Sequence, residues 1–396
     1  MSEKSAKPIS LIQATYIIAF IFSIFTVSSF VKERTKEFNL SPAEHSRQKD
    51  FYVFHNAAKL LDEGKVETLY NKVEFRQILM KFKGSGDIGS WLYPPSFLPF
   101  IQWLSNFSYY NGYLLWLAVQ LTMLILATRN YIFDSPLQTV IFLTSPIMLF
   151  NIRWCTTTPF IAALYIFAFK QLEKNKVAAG MLFGLATVKP SIAIFIPLML
   201  FAMREYKALA VMLATSAFMI LTSVILYGVE PWQVFFSPEA ASSKTFLGNF
   251  HYNHNDMPNI FGALSVLKLS PDSKYFISLV AFIPALAAVY FICSRQDLTT
   301  LEKAFITLTI TIIVTPYVIA YDMMILLVIF CGIFFSYIRE NKLRLIDIGL
   351  LILLSVIHEY TFSWDRKQMP AMPLVLCAIV WYSLNRHKNW NPLVKT

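Results

Sequence analysis

The sequence predicts an all-α, polytopic membrane protein. Three observations carry that prediction. The 396 residues are 56% hydrophobic and only 15% charged, with a mean hydropathy of +0.53, far from the balance of a water-soluble domain. The apolar residues fall into runs long enough to cross a bilayer, about 20 residues each in the norm. The Lys and Arg residues cluster in short segments between those runs, as membrane topology requires. The net charge of +10 is therefore read as topology, and no nucleic-acid partner is expected.

Taken in order, the first run spans about 9 to 31. Lys4 and Lys7 precede it, but it is too long for a signal h-region and has no small-residue cleavage pattern, so it is expected to stay as an anchor. A polar first loop, 32 to 111, follows, with amphipathic helices near 51 to 62 and 72 to 82. The apolar stretch Ser96 to Phe107 is too short to span and fits a helix lying in the interface or re-entering. Spans are then expected near 112 to 128, 135 to 150, 157 to 169, 177 to 188, 191 to 203 and 208 to 227. A second loop, 228 to 275, precedes spans near 276 to 293, 304 to 320, 323 to 338, 344 to 360 and 370 to 385. The total is about twelve, in one integral domain covering 1 to 396.

Charge splits the segment 177 to 203 into two half-length helices turning at Val188-Lys189-Pro190. Lys170, Lys174 and Lys176 precede it, and Arg204 and Lys207 follow it. A single crossing would put one basic cluster on the wrong side, whereas a hairpin keeps both cytoplasmic. In this topology both termini are cytoplasmic, and the loops 32 to 111 and 228 to 275 are outside.

Several chemistries have no local support. The four cysteines, Cys155, Cys293, Cys331 and Cys377, form no CxxC pair and no His spacing, so neither a metal site nor a disulfide framework is signalled. No GxGxxG, Walker, HExxH or GxSxG pattern occurs, which removes the usual signals for nucleotide cradles, zinc proteolysis and serine hydrolysis. An active face outside the cytoplasm has no nucleotide supply, so an activated sugar there must be lipid-carried.

Ionisable residues at membrane depth are costly, which makes them the first candidates for function. The topology gathers Asp50, Arg153, Lys189, Asp322 and His358 at the outer ends of the spans, with Glu359, Asp365, Arg366 and Lys367 near them. Such a ring suits a carboxylate that activates a hydroxyl and cations that neutralise a phosphate. Each residue also has a structural reading. Asp50 fits an N-cap for a helix beginning at Phe51, Lys189 fits a snorkelling helix-end lysine, and Asp322 fits an ion pair holding two helices. His358 and Glu359 fit a membrane exit.

One combination of motifs is more specific. Asp50-Phe51 with Ala57-Ala58 and Gly64, Leu69-Tyr70, Tyr93-Pro94-Pro95, Gly180 and Gly184, Lys189-Pro190, Thr315-Pro316-Tyr317 and Tyr321-Asp322 resemble, in order and spacing, the bacterial polyprenol-phosphate-mannose-dependent mannosyltransferases of the GT-C fold. The resemblance runs from about 45 to 340. It implies an inverting glycosyltransferase of the bacterial inner membrane, with its site on the extracytoplasmic side. Such an enzyme moves a sugar, mannose above others, from a polyprenyl-phosphate donor to a lipid or glycan acceptor. Asp50 matches the proposed general base and Lys189 the lysine facing the donor phosphate, with Arg153 beside it. His55, Tyr93, Tyr321, Asp322 and His358 are the expected substrate contacts. Many members carry Trp-x-His where this chain has Tyr321-Asp322, a departure that bears on the donor sugar.

The residue chemistry is compatible with that resemblance. A carboxylate at Asp50 accepts the acceptor's proton, and Lys189 stabilises the departing phosphate. Polyprenyl phosphate is already a good leaving group, so no divalent metal or other cofactor is required for its departure. A transporter or flippase of a lipid-linked sugar is the alternative. It predicts repeat symmetry and charges along both halves of a pathway, and the sequence displays neither.

Overall fold

The computed structural model describes residues 50–81, 91–237, 257–267, 269–357 and 371–386, with a few positions between 24 and 32. Most of the expected first span, together with His358, Glu359, Asp365, Arg366 and Lys367, lies outside the described residues. Among the described residues there are helices and no strands.

The first loop contributes α1 (Asp50–Asp62), α2 (Val66–Tyr70) and α3 (Lys72–Lys81). Helix α1 is less amphipathic than its sequence suggests: Phe51, Phe54, Ala57, Ala58 and Leu61 are all buried, and so are Val53, His55 and Leu60. It is enclosed because the stretch Ser96 to Phe107 folds over it as short helical turns, Pro95–Phe97, Leu98–Ile101 and Gln102–Asn106. The loop is thus an integral part of the core.

The membrane frame follows as α4 (Tyr109–Thr128), α5 (Pro136–Leu143), α6 (Pro146–Trp154), α7 (Thr158–Leu172), α8 (Lys176–Leu185), α9 (Ile196–Ala202), α10 (Tyr206–Tyr227) and the short α11 (Glu230–Phe235). It continues as α12 (Pro271–Ser294), α13 (Thr300–Val314), α14 (Met324–Arg339), α15 (Leu345–Val356) and α16 (Met372–Asn385). Among the described residues four helical stretches are long and apolar enough to cross a membrane: Tyr109–Thr128, Tyr206–Tyr227, Asp272–Ser294 and Ala320–Arg339. The last is 89% buried and forms the centre, whereas Tyr206–Tyr227 is only 17% buried. An apolar helix with that much exposed surface faces lipid.

The expectation of one span over 135 to 150 is corrected by where the helices break. The segment 135 to 150 is two short helices, α5 and α6, separated at Thr144-Ser145 ahead of Pro146. Helix α6 then meets α7 at an angle of 120°, through Cys155 in the left-handed region (φ 52°). Prolines at the first helical turn explain these restarts, because Pro is favoured there and disfavours helix in the residue before it.

The segment 177 to 203 doubles back. Lys176 Nζ, at the start of α8, reaches Glu205 Oε1, just past α9, at 2.5 Å; a straight helix of that length would separate them by roughly 40 Å. The turn lies at Lys189, whose backbone is non-helical (φ −119°, ψ 78°), in keeping with the following proline, which disfavours helix in the residue before it. Helix α8 packs closely on α10 because Gly180 and Gly184 lie in the contact. A Cβ at Gly180 would stand 2.5 Å from the Ala208 carbonyl oxygen, and one at Gly184 would stand 2.5 Å from Thr215 Cβ.

Several basic residues at the helix ends have partners far away in the chain. Lys170 Nζ donates to the Arg129 carbonyl at 3.1 Å, and Arg339 pairs with Asp134 at 2.6 Å. Arg386 pairs with Asp347 at 2.7 Å, while Arg344 donates to the Arg386 carbonyl at 2.8 Å.

Candidate active site

A cavity of about 620 Å³ lies between the first loop and the membrane frame. Its polar end is built by Asp50, Lys189, Tyr321 and Asp322. Phe54, Tyr70, Trp91 and Tyr93 form one aromatic wall; Val234, Phe235 and Phe236, following α10, form another, and Leu279 and Phe282 of α12 close the side. Three charged side chains, Asp50, Lys189 and Asp322, and several hydroxyl-bearing ones therefore line a chamber that is otherwise mostly apolar.

Two broken helices deliver the polar groups. The chain interrupts α8 and α9 at Lys189, as described above. It also interrupts α13 and α14 at Thr315-Pro316, passing through the turn Ala320–Met323 before α14. Backbone carbonyls freed by such a break at membrane depth need partners. Asn259 Nδ2 donates to the carbonyls of Thr315 at 2.8 Å and Val318 at 3.3 Å, and Asn151 Nδ2 donates to that of Tyr321 at 3.2 Å. These asparagines hold open a non-helical segment that carries Tyr317, Tyr321 and Asp322 to the cavity.

Asp322 is 1% exposed and fully engaged. Its Oδ1 accepts from Lys189 Nζ and from Thr158 Oγ1 at 2.6 Å, and its Oδ2 accepts from the Ile319 N–H at 3.3 Å. The Lys189 ammonium also lies 5.3 Å from the centre of the Tyr321 ring. Among the described residues Asp322 is the ion-pair partner of Lys189, so two of the ammonium's three N–H donors are left for a ligand.

Asp50 begins the described part of α1 and keeps part of its surface exposed. Burial around its carboxyl lifts the pKa to about 6, against the opposing pull of a hydrogen bond from the Tyr321 side chain and the charge of Lys189; the Asp322 charge adds to the rise. Above that pH Asp50 is an anion more basic than an ordinary aspartate.

The other expected site residues divide. Tyr93 lines the cavity with its ring, and its hydroxyl is tied to Thr157 Oγ1 at 2.7 Å. His55 does not line the cavity. It is 2% exposed on the far side of α1, its Nε2 donates to the Phe107 carbonyl at 3.0 Å, and burial lowers its pKa. That hydrogen bond satisfies a polar group buried in the packing around α1. Arg153 sits in the last turn of α6 and is not among the residues that line the cavity. His358 lies outside the described residues. Thr158, Asn151 and Asn259 were not anticipated, although Thr156-Thr157-Thr158-Pro159 is a visible interruption between apolar runs.

The sequence model of glycosyltransferase family 87 matches residues 91–316, more than half of the chain. The chain belongs to glycosyltransferase family 87. Lys189 and Tyr93 lie within the matched stretch, whereas Asp50, Tyr321 and Asp322 lie outside it. No curated protein and no solved structure matches the chain. As a family 87 member it is a glycosyltransferase with several membrane helices, and the cavity is where its broken helices converge.

Proposed function

We infer that this glycosyltransferase takes a sugar, mannose, from a polyprenyl-phosphate donor and passes it, with inversion, to a lipid or glycan acceptor at the outer face of a bacterial inner membrane. The observation that carries the reading is the presence of a carboxylate, Asp50, and a cation, Lys189, in one largely apolar chamber. Aromatic and aliphatic walls suit a polyprenyl chain, and the polar end suits a phosphate and a hydroxyl.

In the proposed step the acceptor hydroxyl gives its proton to Asp50 as its oxygen attacks the anomeric carbon. The bond from that carbon to the phosphate oxygen breaks, and the electron pair leaves with polyprenyl phosphate. Lys189 stabilises the charge that grows on that oxygen with its two uncommitted N–H groups. A single displacement inverts the anomeric centre. A base with a pKa of about 6 is anionic at neutral pH and still takes a proton readily.

The sided distribution of basic residues supports an extracytoplasmic cavity. The test is transfer from a radiolabelled polyprenyl-phosphate mannose by purified protein, with product stereochemistry read by NMR. Labelled, inverted product is expected. Binding and release of the intact donor without cleavage of the sugar–phosphate bond would contradict the reading and favour transport.

A further inference from the structure

Between α6 and α7 the chain runs Cys155-Thr156-Thr157-Thr158-Pro159, and each of the three threonines is at most 1% exposed. A buried hydroxyl needs a partner, and a threonine at a helix start ordinarily finds one in the first N–H groups of that helix. Thr156 does so in part, accepting from the Thr158 N–H at 3.3 Å. Thr157, the N-cap residue of α7, makes no capping bond. The three hydroxyls reach three different parts of the site. Thr156 Oγ1 donates to Asn151 Oδ1, the asparagine that holds the Tyr321 carbonyl. Thr157 Oγ1 lies 2.7 Å from the Tyr93 hydroxyl. Thr158 Oγ1 donates at 2.6 Å to Asp322 Oδ1, the same oxygen that accepts from Lys189.

The last of these bonds bears on the cation. At 2.6 Å from a carboxylate oxygen, the Thr158 hydroxyl makes a charge-assisted hydrogen bond, stronger than one between neutral groups. Asp322 is buried, and its charge is met by Lys189, by Thr158 and, on Oδ2, by the Ile319 N–H. A buried carboxylate compensated by one lysine alone would draw that ammonium wholly to itself. A neutral donor on the same oxygen takes up part of the demand and pins the carboxylate plane. We propose that Thr158 is a positioning residue for Lys189: by sharing Asp322 Oδ1 it fixes the carboxylate and leaves the ammonium's other N–H groups free to meet a phosphate. The phosphate role of Lys189 rests on the proposed function; the sharing of Oδ1 does not.

The fold gives Thr158 a firm footing for this task. It is the first residue of α7, where the backbone N–H groups and the helix dipole favour a nearby anion. The bonds of Thr156 to Asn151 and of Thr157 to Tyr93 fix the chain immediately before it. Thr158 does not line the cavity, so its hydroxyl acts on a ligand only through Asp322 and Lys189.

The test reads Lys189 itself in wild type, Thr158→Ala and Thr158→Ser. Acetic anhydride acylates an uncharged amine, and peptide mass spectrometry gives the rate at Lys189 with and without added polyprenyl phosphate. In Thr158→Ala, where Asp322 Oδ1 draws on the ammonium alone, acylation without lipid is expected to be about 3-fold slower than in wild type, since a carboxylate favours the charged, unreactive form. The polyprenyl phosphate concentration that half-protects Lys189 is expected to rise about 3- to 10-fold, the size of one hydrogen bond's net contribution. Thr158→Ser keeps the hydroxyl and is expected to match wild type in both readings. Thr158→Val, which keeps the bulk without the hydroxyl, is read as the alanine is and replaces it if that variant does not fold. Lower thermal stability with wild-type acylation and protection overturns the proposal and leaves Thr158 a packing residue; a serine variant that behaves like the alanine overturns it too. If polyprenyl phosphate fails to protect Lys189 in wild type, its phosphate role falls with the proposed function, and the acylation rates without lipid still decide whether Thr158 governs the lysine.

Discussion

Lys189 and Asp322 form an ion pair inside the protein, their side chains 9% and 1% exposed. Removing one partner of such a pair leaves a buried charge uncompensated and costs about 3–5 kcal/mol, while removing both costs far less. Lys189→Met is therefore expected to lower thermal stability in detergent sharply, and Lys189→Met with Asp322→Asn to recover most of it. Donor binding should remain lost in the double variant, measured by tritiated donor retention. Full donor binding there would show that Lys189 only closes the ion pair.

The pH dependence of transfer follows from Asp50. Its pKa is raised to about 6, so the base is anionic above that pH and is lost as pH falls through it. Turnover is expected to halve near pH 6, whereas an ordinary aspartate, near 4, would hold the rate level down to about pH 5. Initial rates between pH 4.5 and 8 with saturating donor distinguish the two.

The contact of α8 with α10 sets the position of Lys189 at the end of the same hairpin. Alanine at Gly184 gains up to about 1 kcal/mol in helix propensity, but its Cβ would meet Thr215 Cβ at 2.5 Å and the Met212 carbonyl oxygen at 2.9 Å. Overpacking against backbone costs about 1–3 kcal/mol, so the steric term wins. Gly184→Ala should unfold at lower temperature and raise the donor KM; a stabilised variant with normal KM would show that the helices separate freely.

Away from the cavity lining, Asp347 accepts from Arg386 at 2.7 Å and from Tyr382 at 2.7 Å. The Arg386 guanidinium also lies 3.3 Å over the Tyr337 ring. None of these residues lines the large cavity. Arg386→Leu should cost about 3–5 kcal/mol of stability while the folded fraction keeps its kcat. A kcat that falls with stability retained would connect this network to the site.

The sequence made the membrane class, the hairpin at Lys189-Pro190 and the approach of Asp50 to Lys189 legible, since all three follow from hydropathy, charge sidedness and proline. It also offered an ion pair as the structural reading of Asp322, and that pair exists, with Lys189 as the partner. Other features were hidden. Continuous hydropathy across 135 to 150 concealed the α5–α6 break, because apolar content does not reveal where a chain turns. The carbonyl partner of His55 was hidden as well, because it exists only through the fold of Ser96 to Phe107 over α1. Asn151 and Asn259 gave no local signal: their role depends on a break far away in sequence.

The central claim is that Asp50 is the general base, and Asp50→Asn tests it most directly. Asparagine keeps the size and most of the hydrogen bonding, and it caps a helix about as well as aspartate, so folding and donor binding should persist. Transfer by the purified, folded variant should drop by about two or more orders of magnitude. Turnover close to that of the wild type would contradict the account.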